Sequence, residues 1–201
     1  MDAFNLLKAD HRKVEELFSQ LESASGQAKM RVFEQIKMEL ELHTHIEEKI
    51  FYPALEKPKQ THDLTLEAYE EHDVVKKLLG EMSKAKSATE EWQAQAKVLQ
   101  ENVEHHVEEE ENELFEKAEA ALSEEQIEAL GEQMEAEKER KQRSATKSSS
   151  KKKSANKSAS KSKSASTAQK RTRASKKSGS KSSSKSSGTK RSKKSGKKSR
   201  R

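Results

Sequence analysis

Apolar residues recur three or four apart through most of the first 143 positions, and no stretch alternates with period two over a strand's length. Phe4, Leu7, His11, Val14, Phe18 and Leu21 mark a first helix over about residues 2–23. Gly26 and the serines around it predict a turn. Met30, Phe33, Ile36, Leu40, His43, Glu47 and Ile50 trace a second helix, and Pro53 and Pro58 put its end in the fifties. Leu64, Ala68, Tyr69, His72, Val75, Leu79 and Met82 trace a third. Trp92, Leu99, Val103, His106, Glu110 and Leu114 trace a fourth. Ser123 and Gln126 form a capping-box pattern before Ile127, Leu130 and Met134, a short fifth helix that turns almost wholly charged by residue 141. The expected fold is all-α: an up-down-up-down four-helix bundle plus a short fifth helix.

Composition divides the chain. Residues 144–201 hold 22 Lys and Arg, no Asp or Glu and no aromatic residue. Residues 1–143 keep 19 basic against 35 acidic side chains, a net of −16, with all seven His and all eight aromatics. The expected organisation is a bundle at 1–120, a charged helix and linker at 121–143, and a disordered basic tail at 144–201. A Lys/Ser/Ala-rich tail lacks the apolar surface to offset chain entropy. Its cations suit nucleic-acid phosphates, with counterion release and steep salt dependence. Without aromatics or a reading helix, sequence specificity is not expected. DNA is the leading partner; RNA and polyphosphate share its chemistry. The likeness to linker-histone and bacterial histone-like tails is compositional. The absence of cysteine excludes disulfides, thiolate metal sites and cysteine nucleophiles. No long apolar run and no secretory pattern is visible, so the expectation is a cytoplasmic, nucleoid-associated protein without membrane insertion.

The informative positions interrupt the apolar stripes. His11, His43, Glu47, His72, His106 and Glu110 lie in phase with core positions, where unpaired titratable groups cost several kcal/mol. A lone helix-face His is more often a hydrogen-bonded core residue, and one His-x-x-x-Glu pair arises readily in a Glu-rich chain. Two such pairs, His43/Glu47 and His106/Glu110, alternate with single in-phase His on the other two helices. The i, i+4 spacing puts both side chains on one face. Four imidazoles and two carboxylates suit two divalent first-row ions. His105/Glu109 repeats the spacing one residue earlier; matching Phe51-Tyr52 with Leu114-Phe115 selects His106. His45 falls out of phase, and His62 reads as a turn residue. Tyr52, Tyr69 and Trp92 read first as packing residues, with the tyrosines as candidate donors to ligands.

The stretch Glu41-Leu42-His43-Thr44-His45-Ile46-Glu47-Glu48-Lys49-Ile50-Phe51-Tyr52-Pro53-Ala54-Leu55 resembles the hemerythrin-like (HHE cation-binding) family. So do Lys8-Ala9-Asp10-His11, Glu70-Glu71-His72-Asp73-Val74-Val75-Lys76, and Val103-Glu104-His105-His106-Val107-Glu108-Glu109-Glu110-Glu111-Asn112-Glu113-Leu114-Phe115. The resemblance implies a non-haem di-iron centre that meets dioxygen, peroxide or nitric oxide. It makes His11, His43, His72 and His106 terminal ligands, with Glu47 and Glu110 bridging; Mn and Zn remain alternatives to Fe. Two departures stand out. Oxygen carriers of the family place a second His where this chain has Lys76, and an aspartate five residues after the fourth-helix His, whereas here Glu110 follows His106 by four. Sensing, iron handling or peroxide and oxygen chemistry fit better than reversible carriage. The rivals are a di-iron peroxidase or catalase, and a histone-like DNA compactor whose head is only structural.

Overall fold

The computed structural model describes residues 1–144; the basic segment, with the disorder and DNA contacts expected of it, lies outside the described residues. Every regular element among them is helical. In chain order these are α1 (Ala3–Ser23), α2 (Gly26–Ile46), a π-helical turn π1 (Glu47–Phe51), α3 (Tyr52–Leu55), α4 (Lys59–Met82), α5 (Glu90–Glu109), a second π turn π2 (Glu110–Leu114), α6 (Phe115–Ala121) and a last helix, α7, over residues 124–144. No helix among the described residues is long and apolar enough to cross a membrane.

Local chemistry sets the boundaries. Asp2 accepts the Asn5 backbone N–H at 2.9 Å and Thr89 accepts that of Trp92 at 3.2 Å, capping α1 and α5. Ser123 and Gln126 make the reciprocal capping box: Ser123 Oγ accepts from Gln126 N, and Gln126 Oε1 from Ser123 N. Gly26 takes a positive φ of 54° between α1 and α2. Pro58 caps α4, which starts earlier than its apolar stripe.

The core has two apolar clusters with a polar layer between them. One gathers Val14, Phe18, Phe33, Leu40, Val75, Trp92 and Val103. The other gathers Leu7, Phe51, Tyr52, Ala68, Leu114 and Phe115, joined by Ile127 and Met134 of α7. Along α1 the order is Leu7, His11, Val14; along α2 into π1 it is Leu40, His43, Glu47, Phe51. Along α4 it is Ala68, His72, Val75; along α5 into π2 it is Val103, His106, Glu110, Leu114. Each successive segment therefore meets the clusters in the opposite order, and each brings its polar residues to the same level.

Each π turn begins at the Glu of a His-x-x-x-Glu pair. Tyr52 N–H bonds Glu47 O and Phe115 N–H bonds Glu110 O, five residues back. The added residue shifts the stripe. Phe51 with Tyr52, and Leu114 with Phe115, are buried as adjacent pairs, whereas Ile50 is only half-buried.

The last helix seats tightly on the N-terminus. A Cβ on Gly131 would lie under 3.0 Å from backbone atoms of Met1, Asp2 and Ala3, whereas one on Gly80 of α4 would meet nothing. Alanine in a helix gains up to about 1 kcal/mol over glycine. Gly80→Ala should therefore raise stability by about that amount. Gly131→Ala should lower it by about 1–3 kcal/mol, the usual cost of overpacking. Chemical denaturation of the full chain reads both; a stabilising Gly131→Ala would mean that α7 does not seat there.

Candidate metal centre

The six in-phase residues converge. His11, His43, Glu47, His72, His106 and Glu110 are all buried, and Glu47 is fully so. They form two donor groups, His11/His43/Glu47/Glu110 and Glu47/His72/His106, with candidate ligand atoms within 4.8 Å of one another in each. Glu47 belongs to both. Its Oε2 lies 3.1 Å from His43 Nε2 and 3.4 Å from His72 Nε2. Glu110 Oε2 lies 3.3 Å from His11 Nε2.

The outer nitrogens explain which way the imidazoles face. His11 Nδ1–H donates to Glu111 Oε1 at 2.7 Å, His72 Nδ1–H to Glu48 Oε1 at 3.0 Å, and His106 Nδ1–H to Glu71 Oε2 at 2.7 Å. His43 Nδ1 faces Asp10 Oδ2 at 3.7 Å. With the proton held on Nδ1, the Nε2 lone pair points inward. His11 and His43 then oppose their Nε2 atoms at 3.2 Å, as do His72 and His106. Facing lone pairs at that distance repel unless a proton or a cation stands with them. Both Glu47 oxygens and Glu110 Oε2 are buried without a hydrogen bond.

Protonation shows the same shortage of positive charge. Burial, then the nearby Glu110 carboxylate, pushes Glu47 well above the usual carboxylate range. Burial would raise Glu110 too, but the approach of His11 Nε2 to its Oε2 at 3.3 Å, and the electrostatic pull of His106, His11 and His43, outweigh it and hold Glu110 low. Burial carries His72 down to about 4, so it is a neutral donor at pH 7. These residues fit a cation pair: the imidazoles are oriented, three of the four oxygens of Glu47 and Glu110 lack a hydrogen-bond donor, and the donor types suit first-row metals.

Residues outside the inner six complete the centre. Tyr52 is fully buried and donates to Glu110 Oε1 at 3.3 Å, with its oxygen 3.3 Å from His72 Nε2. Lys76 turns outward to Glu48 and Asp73 and contributes no donor to the layer. His45 binds Glu137 of α7, and His62 is exposed, bonded to Glu56 O. Trp92 packs edge-on to Phe33 and donates to Met82 O. Sequence reasoning did not single out Asp10, Glu48, Glu71 and Glu111 as partners of the imidazoles. Their one signal is adjacency: each stands beside an inner residue in the chain and serves an imidazole on another helix.

The family model for the hemerythrin HHE cation binding domain matches residues 2–118. The chain belongs to this family. A crystal structure of a hemerythrin HHE cation binding domain-containing protein from Mycobacterium kansasii has the same kind of fold, with a TM-score of 0.64. It is 24% identical and covers 73% of this chain and 90% of that one. A protein named DNA nickase from Nostoc sp. (strain PCC 7120 / SAG 25.82 / UTEX 2576) is 30% identical over 139 residues, 69% of this chain. The chain spans 39% of the length of that relative. The basic segment and all of α7 lie beyond the family match.

If the outer carboxylates set the imidazoles, Glu48→Gln and Glu111→Gln should each weaken metal binding by roughly 10- to 100-fold. Competition against a chelator measures this, with circular dichroism confirming the fold. Unchanged affinity in both variants would show that the Nδ1 partners do not orient the donors.

Proposed function

We propose that this HHE protein holds two iron ions in its buried polar layer. It uses them to bind, sense or consume dioxygen, peroxide or nitric oxide, while its basic segment 144–201 ties it to DNA. The bundle is read as up-down-up-down, supported by the alternating order in which its segments meet the two clusters. The observation that carries the small-ligand reading is a cavity of about 20 Å³ beside the four imidazoles. Val14, Leu40, Val75 and Val103 line it along with the His side chains. That is the room of about one water-sized molecule. Dioxygen, peroxide and nitric oxide are on that scale; larger organic substrates are not.

His11, His43, Glu47 and Glu110 would hold one ion, and His72, His106 and Glu47 the other. Iron is favoured over Mn or Zn because, when bound there, it supplies redox chemistry toward such ligands. The chain's own part is positioning. Glu48, Glu71 and Glu111 keep the imidazole protons on Nδ1. Burial, then the charge of Glu110, raises Tyr52 well above its ordinary range, so its hydroxyl stays protonated and donating. The valines and leucine exclude bulk water. Because Lys76 points outward, the His72 side has one imidazole fewer than an oxygen carrier would, which favours sensing or consumption.

For DNA, the support is 22 cationic side chains without one acid, and the name of the Nostoc relative. That name also favours a second reading, in which this chain nicks DNA. The inner donors are buried, and a duplex phosphodiester is far larger than the cavity, so nicking would need metal bound elsewhere.

The test uses iron-loaded full-length protein under anaerobic conditions. Its absorption should change with at least one of dioxygen, hydrogen peroxide or nitric oxide, and Glu47→Ala should abolish the response. Silence toward all three contradicts the reading. DNA should be retarded at low salt and released as salt rises; no retardation contradicts the tether. Relaxation of supercoiled plasmid without small-ligand reactivity favours nicking.

A further inference from the structure

Outside the inner layer, the described residues hold one more group of metal-ligating side chains: Glu71 on α4 with His105 and Glu109 on α5. His105 and Glu109 are four apart and share one helix face. Glu109 Oε1 lies 3.5 Å from His105 Nε2. Glu71 Oε1 reaches across to within 3.8 Å of the same nitrogen. The His105 side chain is 63% exposed, so the trio opens to solvent. Two carboxylates and an imidazole are the donor types of the inner layer.

Acidic side chains on a helical surface are ordinary, but two further features connect this group to a cation. Glu71 is shared: its Oε1 faces His105 while its Oε2 accepts from His106 Nδ1 at 2.7 Å. A small crevice is also lined both by Glu71 and Glu109 of the trio and by His106 and Glu110 of the inner layer. Of these walls Glu110 is 2% exposed, and its Oε2 has no hydrogen bond. Carboxylates of the outer trio and of the inner layer thus line one crevice. A divalent ion sheds its waters reluctantly, and exchanging them stepwise for carboxylate oxygens avoids a single large desolvation.

We propose that Glu71, His105 and Glu109 form a solvent-facing divalent-cation site through which metal loads into the inner layer. The proposal rests on reading that layer as a metal centre. The cation is held first by the trio, then passes along the crevice to Glu110 and His106. No redox change is involved; waters leave and protein donors replace them.

The test follows anaerobic Co(II) uptake by metal-free, full-length protein in stopped flow. His105→Ala/Glu109→Gln removes two donors that are not inner ligands. It should slow uptake on the order of tenfold or more, with the same final metal content per chain. Glu104→Gln, on the exposed face of α5, removes the same charge and should change the rate by no more than about twofold, because a lone surface charge is screened. Substoichiometric Mn(II) should broaden the His105 ring signals of the unaltered protein in NMR. Wild-type uptake in the double variant, or equal slowing by Glu104→Gln, overturns the loading route while leaving the inner centre standing. Broadening at His105 with no metal retained inside overturns the inner centre, and the route with it.

Discussion

Four imidazole lone pairs and two carboxylates face one another in one buried layer. Apolar clusters close that space at both ends, so the charges cannot be solvated. Hydrogen bonds inside the layer do not satisfy it either: Glu47 has none on either oxygen. Protons can relieve the repulsion only in part: Glu47 is driven well above the usual carboxylate range while Glu110 is held low. Cations are the natural counterpart to such a donor set. The rest of the helical architecture follows from holding these donors at one level. Each helix carries its polar residues between apolar ones, and each imidazole is held by a carboxylate from a different helix or faces one.

The π turns serve the same constraint. A regular helix would carry Glu47 into the layer and then place Ile50 or Phe51, followed by Ala54, against the second cluster. The extra residue instead buries Phe51, Tyr52 and Leu55, and it does the same for Leu114, Phe115 and Ala118. Tyr52 thereby reaches Glu110 from a segment that starts at Glu47. π turns recur at functional sites because an inserted residue redirects side chains without ending the helix.

The inner residues were legible because polar groups on an apolar stripe are costly, and six of them in alternating single and paired spacing need a common cause. The outer carboxylates were not, since Glu48, Glu71 and Glu111 lie in a chain crowded with glutamates. Only the packing of π1 and α5 against α4, and of α1 near π2, distinguishes them from a solvated face. The π turns left a faint trace in the adjacent apolar pairs, which helical periodicity alone reads as noise. The seat of α7 was half visible. Its narrow stripe and capping box marked a helix, but nothing in sequence announces that Glu137 accepts from His45, Lys49 and Arg140, or that Lys138 pairs with Asp10 beside His43. Through these ion pairs a helix wholly outside the family match touches the surroundings of the buried donors.

The most direct measurement is the metal content of full-length protein purified without oxygen and loaded with Fe(II), determined by mass spectrometry. The account predicts two ions per chain retained after desalting, because the structure presents two donor groups sharing Glu47. It also predicts their loss when His43 and His106 are both replaced by Ala in a protein that stays helical. Failure to retain metal, or equal retention by that variant, would contradict it.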